Sequence, residues 1–165
     1  MVTNDFHEKH EHEKIAVQML DHFASKYTIE SVLGYMPKLA EVERKRRGTK
    51  SKTRNGAHSH FLEASSVCWM ITNRLWMSYA QITRDPYINR PLNPTAMLRS
   101  FEYVKMFHAN VCDHVDFNRF YSVLKLICEK SIMLSNCSDC GSLYISKRTT
   151  IYRVCPCCDQ MKRFD

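Results

Sequence analysis

Apolar positions recur at helical spacing through most of this chain, and the pattern changes only past Leu134. Ile15, Met19 and His22/Phe23, with Val17 and Leu20 alongside, predict a helix that ends near Lys26. The stretch "TIESVLGYMPKLAEVERKRRG" predicts a short helix, a turn at Gly34 to Pro37, and a second helix. Pro37 suits a first helical position, where its missing N–H costs nothing, and Gly48 suits a C-terminal stop. Glu41–Lys45 and Glu43–Arg47 are i,i+4 pairs with the acid on the N-terminal side, the better orientation for support. "TKSKTRNGAH" is a loop by composition. From Phe61 to about Ile82, the positions Ala64, Cys68, Ile71, Leu75, Tyr79 and Ile82 form one apolar stripe, widened by Trp69 and Trp76. They predict a long, largely buried helix.

"RDPYINRPLNP" carries Pro86, Pro91 and Pro94 and must be a connection; Asn93-Pro94 then reads as a cap followed by proline at the first helical position. Met97, Phe101, Val104, His108 and Val111 predict a helix running to about Asn110. Phe117, Phe120, Leu124 and Ile127 predict a further one of roughly four to five turns. Beyond it, "SLYIS" and "IYRVC" are short, β-branched and aromatic, and "KRTT" between them makes a hairpin. The predicted fold is therefore mainly α: a helical body with a helix–turn–helix-like N-terminal region and a small C-terminal four-cysteine zinc-ribbon hairpin. The predicted division is a flexible segment 1–13, a helical body 14–134 that includes the basic helix and loop 38–54, and a zinc-binding hairpin 135–165.

Composition sharpens the partner more than the fold. With 165 residues the chain buries roughly 70% of its unfolded surface and needs no disulfides. A net charge of +7, from 24 Lys+Arg against 17 Asp+Glu, favours an anionic partner such as nucleic acid. The N-terminal "MVTNDFHEKHEHEK" has no apolar core, so no secretory signal is expected. "VCWMITNRLWM" is broken by Asn73 and Arg74, so no membrane span is expected either. The expected location is the cytoplasm, where eight cysteines serve as thiols or metal ligands rather than disulfides.

The cysteines carry the strongest chemical signal. Cys137-x2-Cys140 and Cys155-x2-Cys158 are two knuckles separated by fourteen residues. Each CxxC turn puts two sulfurs on one side of a metal, and two such turns complete a tetrahedron. Gly141 follows the first pair, where a residue without Cβ lets backbone N–H groups approach the thiolates. Four protein ligands leave no open position, so the expectation is one structural Zn2+ with no catalytic part. A rubredoxin-like iron site would use the same ligands. A redox CxxC would come singly beside a βαβ pattern, which is absent. Cys68 and Cys128 fall on apolar helical faces and are expected in the core; Cys157 could replace Cys158 as a ligand, but a two-residue step from Cys155 forms the knuckle less readily, so it is expected beside the knuckle as a bystander.

Seven basic residues, Arg44, Lys45, Arg46, Arg47, Lys50, Lys52 and Arg54, occupy eleven positions that contain no acid. A helix end favours cations through its dipole, but seven exceed what a cap needs. Phosphate contacts on double-stranded DNA explain the run better, extended by Lys147, Arg148 and Arg153 on the hairpin. Such contacts give affinity without reading bases. His7, His10 and His12 belong to a solvated N-terminal segment, and His58 and His60 flank a loop without a partner arrangement for catalysis. No Ser/His/Asp set, phosphate-cradling glycine loop or carboxylate pair stands out. No enzyme activity and no small-molecule substrate are expected.

"RFYSVLKLICEKSIMLSNCSDCGSLYIS" (119–146), followed by "VCPCC", resembles the FlhC family, subunits of the bacterial flagellar master transcriptional activator. The distinctive part is a helix that runs directly into a serine-rich CxxCG knuckle and then a second CxxC. The resemblance spans roughly residues 14–158, with its specific part in the C-terminal third. It implies a helical protein with zinc ligands at Cys137, Cys140, Cys155 and Cys158 that binds DNA upstream of promoters. It further implies a hetero-oligomer with an FlhD-like partner subunit that recruits RNA polymerase. "GTKSKTRNGAHSHFLEASSVCWM" lacks the Pro-rich and Trp/Phe pattern of flagellar members. Activator pairs of conjugative elements, of the SetC/AcaC kind, share the framework and switch on transfer genes, and the reading leans to that side. A zinc-ribbon adaptor that binds only proteins and an iron electron-transfer protein are the rival classes.

Overall fold

The computed structural model describes residues 2–48, 65–108, 110–146 and 153–162. In chain order these form α1 (Val2–Asp21), α2 (Lys26–Leu33), α3 (Lys38–Arg47), α4 (Ser66–Thr83), α5 (Pro94–Phe107), α6 (Val111–His114), α7 (Phe117–Cys128), β1 (Leu134–Asn136), β2 (Leu143–Ile145) and α8 (Pro156–Met161). The fold is mainly helical, with a small two-stranded element at its C-terminal end.

Local chemistry explains most boundaries. Ser25 caps α2 by accepting the Thr28 N–H, and Gly34 closes the helix in the left-handed region at φ 81°. α3 ends the same way at Gly48, as its sequence predicts. Pro37 stands one position earlier than expected, at the N-cap of α3 rather than its first turn. Asn93 caps α5 through the Ala96 N–H and Pro94 opens the helix, as read from the sequence. Asp116 caps α7 through the Arg119 N–H.

The first helix departs most from expectation. It starts at Val2, so the boundary between residues 13 and 14 falls inside it, and it stops at Asp21 rather than near Lys26. Extending an anchored helix needs no new nucleus, and Glu8, Lys9, Glu11 and Glu13 in the lead-in are good helix formers. The end is set by tertiary contacts: Phe23 takes φ 59°, and Asn118 of α7 grips the turn. The Asn118 Oδ1 accepts from the Ser25 N–H at 2.7 Å and the Thr28 hydroxyl at 2.8 Å, while its Nδ2 donates to the Phe23 carbonyl at 3.1 Å.

The body core gathers residues from α1, α2, α4, α5 and α7. Phe101, Phe117 and Phe120 are fully buried, with Phe101 and Phe117 edge to face at 5.3 Å. Such pairs add about 0.5–1.5 kcal/mol beyond area burial. Of the predicted α4 stripe, Cys68, Ile71, Leu75 and Tyr79 are buried, but Ile82 is exposed; Ala64 lies outside the described residues. α5 stops at Phe107, and Val111 is buried from the next short helix instead of continuing the same one. α7 has 12 residues, fewer than the turns expected, because Lys130 adopts φ 55° just past its end.

The hairpin is also paired differently from the expectation. β2 pairs antiparallel with β1 upstream, in register Leu134↔Ile145, Ser135↔Tyr144 and Asn136↔Leu143. Residues 151 and 152 of the predicted second strand lie outside the described residues, and 153–155 are not in a strand. Cys155 instead caps α8. The CxxC knuckle of Cys137 and Cys140 is therefore inside the hairpin connection, and the second knuckle sits at a helix start.

Candidate metal centre

Alternation along β2 builds the site from both sides. Ile145 and Leu143 turn to the body core, and Tyr144 between them turns to the opposite face, because successive strand side chains point oppositely. There Tyr144 joins Trp69, Cys137, Cys155 and Cys158 in a second buried cluster. Trp69 meets Tyr144 edge-on, with ring centroids 6.1 Å apart.

α4 holds this module through two polar side chains. The Trp69 indole N–H donates to the Ile145 carbonyl at 2.7 Å, and the Asn73 Oδ1 accepts from the Ile145 N–H at 2.7 Å. The Asn73 Nδ2 returns to the Trp69 carbonyl at 2.9 Å. Both backbone groups of Ile145 that β1 does not satisfy are thus met by one turn of α4, and none is left unpaired in the interior. Asn73 interrupts the apolar run of α4 in the sequence, and the structure makes it the tether of the cysteine module. A polar amide at a stripe position was the signal that could have marked it.

The four sulfurs of Cys137, Cys140, Cys155 and Cys158 lie within 4.8 Å of one another. The Cys140 and Cys155 Sγ atoms are 3.8 Å apart, far beyond a disulfide bond of about 2.05 Å. Four thiolates about 2.3 Å from a tetrahedral metal stand about 3.8 Å from each other. The set fits one metal ion, and it is the four predicted cysteines. Cys157 is exposed and outside the group, as expected of a bystander. Cys68 is buried as predicted; Cys128 is exposed, contrary to expectation, because it falls on the solvent side of the last α7 turn.

Backbone donors surround the sulfurs. The Cys155 N–H donates to the Cys137 Sγ at 3.2 Å and the Cys158 N–H to the Cys155 Sγ at 3.5 Å. Gly141, at φ 71°, lets its N–H reach the Cys137 carbonyl at 2.9 Å and closes the knuckle. Burial works against the Cys137 thiolate, but N–H groups of Cys140, Cys155 and Asp139 bring its pKa down to about 6. Cys140 is lowered by the hydroxyl and N–H of Ser142. Cys155 is raised by burial, and Cys158 by its hydrogen bonds with the Cys140 and Cys155 sulfurs. Metal entry must expel the proton from each thiol that still carries one. Across the knuckles, Ser138 N–H donates to the Arg153 carbonyl at 2.7 Å, and Lys162 pairs with Asp139 at 2.8 Å.

The basic helix is less bare than its sequence. Arg44 pairs with Glu41 at 3.0 Å and Arg46 with Glu43 at 2.8 Å. The predicted Glu41–Lys45 and Glu43–Arg47 pairs form at 3.6 and 3.3 Å. Arg47 also reaches Asp21 of α1 at 2.6 Å, tying α3 to the body. The Arg44 guanidinium holds the Glu41 carboxyl down at about 2. Lys50, Lys52, Arg54, Lys147 and Arg148 lie outside the described residues, as do His58 and His60. His7 and His10 are exposed, and among the described residues no second group of metal-ligating side chains occurs. No described helix is long and apolar enough to cross a membrane.

No protein-family model matches this chain, and neither does any curated protein or any solved structure.

Proposed function

We propose that this protein is a zinc-clipped, DNA-binding subunit of a transcriptional activator. It works in the cytoplasm in a hetero-oligomer with an FlhD-like partner and recruits RNA polymerase to flagellar or conjugative-transfer promoters. The observation that carries the reading is the closed four-thiolate cluster docked on a helical body whose basic helix ends in a run of cations. All four metal positions are filled by protein, so the ion braces a surface instead of acting on a substrate. Thiolate sulfurs at tetrahedral spacing suit Zn2+. The resemblance of residues 119–158 to FlhC proteins supplies the partner and the promoter role.

The ion pairs of α3 are compatible with phosphate contact. They are surface pairs, weak and exchangeable, and Lys45 and Arg46 keep most of their side-chain surface in solvent. Arg47 is the wrong residue to test, because its loss also unties α3 from α1.

The test is binding of the purified protein, with and without the FlhD-like protein, to a mixed-sequence duplex and a promoter fragment at 50–200 mM salt. Affinity should fall linearly on a log–log plot, and Lys45→Ala with Arg46→Ala should flatten the slope by about two. Metal analysis of the same protein should return one zinc per chain. Salt-independent or absent DNA binding favours the protein-adaptor class, and stoichiometric iron favours electron transfer.

A further inference from the structure

A cleft of about 340 Å³ opens between the end of α4, the connection 84–93 and the start of α5. Its volume equals on the order of ten waters, room for one hydrated anionic group and the atoms attached to it. Arg90 and Arg99 line it, and both are exposed. Among the described residues neither makes an ion pair, in contrast to the four cations of α3. Tyr79 lines the floor at 2% exposure. Its phenol oxygen accepts the Asn93 N–H at 2.9 Å, and burial pushes its pKa up, so the O–H proton stays on and is available to a ligand. Asp85 also lines the cleft, but both of its oxygens are occupied by Asn89, through the backbone N–H at 2.7 Å and the Nδ2 at 3.0 Å. The first turn of α5 is already capped by Asn93, so the helix end is not what makes the cleft attractive.

We propose that this cleft binds a phosphate group, held by the Arg90 and Arg99 guanidinium forks with the Tyr79 hydroxyl beneath. Two guanidinium forks and a hydroxyl in one lining offer more donors than a planar carboxylate can use, and suit the several oxygens of a tetrahedral phosphate. The inference rests on the DNA-binding reading only for the source of that phosphate: a backbone phosphodiester, or a free phosphate compound.

The experiment uses the metal-loaded chain and the double variant Arg90→Ala, Arg99→Ala. Both side chains are exposed and make no ion pair among the described residues, so circular dichroism and thermal midpoint should match the parent. In one arm, inorganic phosphate is titrated at constant ionic strength against chloride while the amide NMR shifts of Arg90, Asn93 and Thr95 are followed. In the other, the salt slope of duplex DNA binding is measured. Saturable phosphate-specific shifts that vanish in the variant are expected, with a DNA slope reduced by about two. Arg90→Lys with Arg99→Lys should keep the slope but weaken phosphate binding several-fold, since a point charge replaces the fork. A change in either arm upholds the site and identifies its source. Undiminished DNA binding together with no phosphate-specific shift overturns the site and leaves the DNA reading standing. Phosphate binding without any DNA affinity does the reverse.

Discussion

The helical body and the cysteine module reach order by opposite means. The body buries large side chains from several helices against one another, among them Met19, Trp76, Phe101, Phe117 and Leu124. Its order follows from removing apolar surface from water, and nothing else need bind. The module has two three-residue strands and a six-residue helix around one tyrosine, one borrowed tryptophan and four sulfurs. That is too little apolar surface to offset the ordering entropy of its chain, so metal binding must supply the difference. The lesson is that one chain carries an unconditional fold and a conditional one, joined by a turn of α4 and by Leu143 and Ile145 packed on the body core.

Removing the metal should break the comparison most sharply. A structural zinc site of this class contributes an apparent 10–16 kcal/mol, comparable to a whole domain's stability. Chelation, or Cys140→Ser, should release the ion and abolish protection of the Ile145 amide in hydrogen exchange, while far-UV circular dichroism keeps most of its helical signal. Loss of the whole helical signal with the metal would mean that body and module are a single unit.

The joint itself comes next. Asn73→Ala removes the acceptor of the buried Ile145 N–H and the donor to the Trp69 carbonyl. A buried group left unpaired costs about 1–3 kcal/mol. Metal affinity should drop about ten- to hundredfold, with faster exchange at Ile145 and a body melting transition that moves much less. Unchanged metal affinity would show that Trp69 and the apolar packing of Leu143 and Ile145 carry the docking without Asn73.

The smallest effect belongs to the body and to pH. His22 is buried against the Phe101 and Phe117 rings, with its Nδ1 unpaired and its Nε2 3.5 Å from Glu102. Burial lowers its pKa below 6.5, Lys105 adds to this, and Glu102 and Asp21 only partly oppose it. The unfolded chain therefore takes up the proton first. Stability from neutral His22 is complete above about pH 6.5 and is lost as pH falls from there toward the lowered value. Denaturant midpoints measured from pH 7.5 to 5.5 should fall more steeply for the parent than for His22→Gln; parallel curves would contradict it. The difference between the two proteins cancels the acid response of the cysteine site, which both share.

Residue spacing alone made the four ligands legible, because a CxxC turn is a local geometry that needs no distant partner to bring its two sulfurs together. The same holds for the Asn93-Pro94 start of α5, the Gly34 and Gly48 stops, and the i,i+4 pairs of α3. Strand pairing was not legible: "SLYIS" could close with residues on either side, and the choice fell to the upstream segment that the first knuckle brings back. Nor was the neutralisation of the basic helix, since Asp21 meets Arg47 only once α3 lies on α1.

The sequence by itself determined which four cysteines could hold a metal, which stripes face inward and where α2, α3 and α4 stop, because those depend on neighbours three or four positions away. Tertiary structure decided the rest. It turned Asn73 from an interruption into a tether and stopped α1 at a turn held by Asn118. Among the described residues it also left Arg90 and Arg99 without an ion pair while pairing the denser cluster on α3. Each of these depends on groups dozens of residues apart, and only packing of the helices places those groups within hydrogen-bond reach.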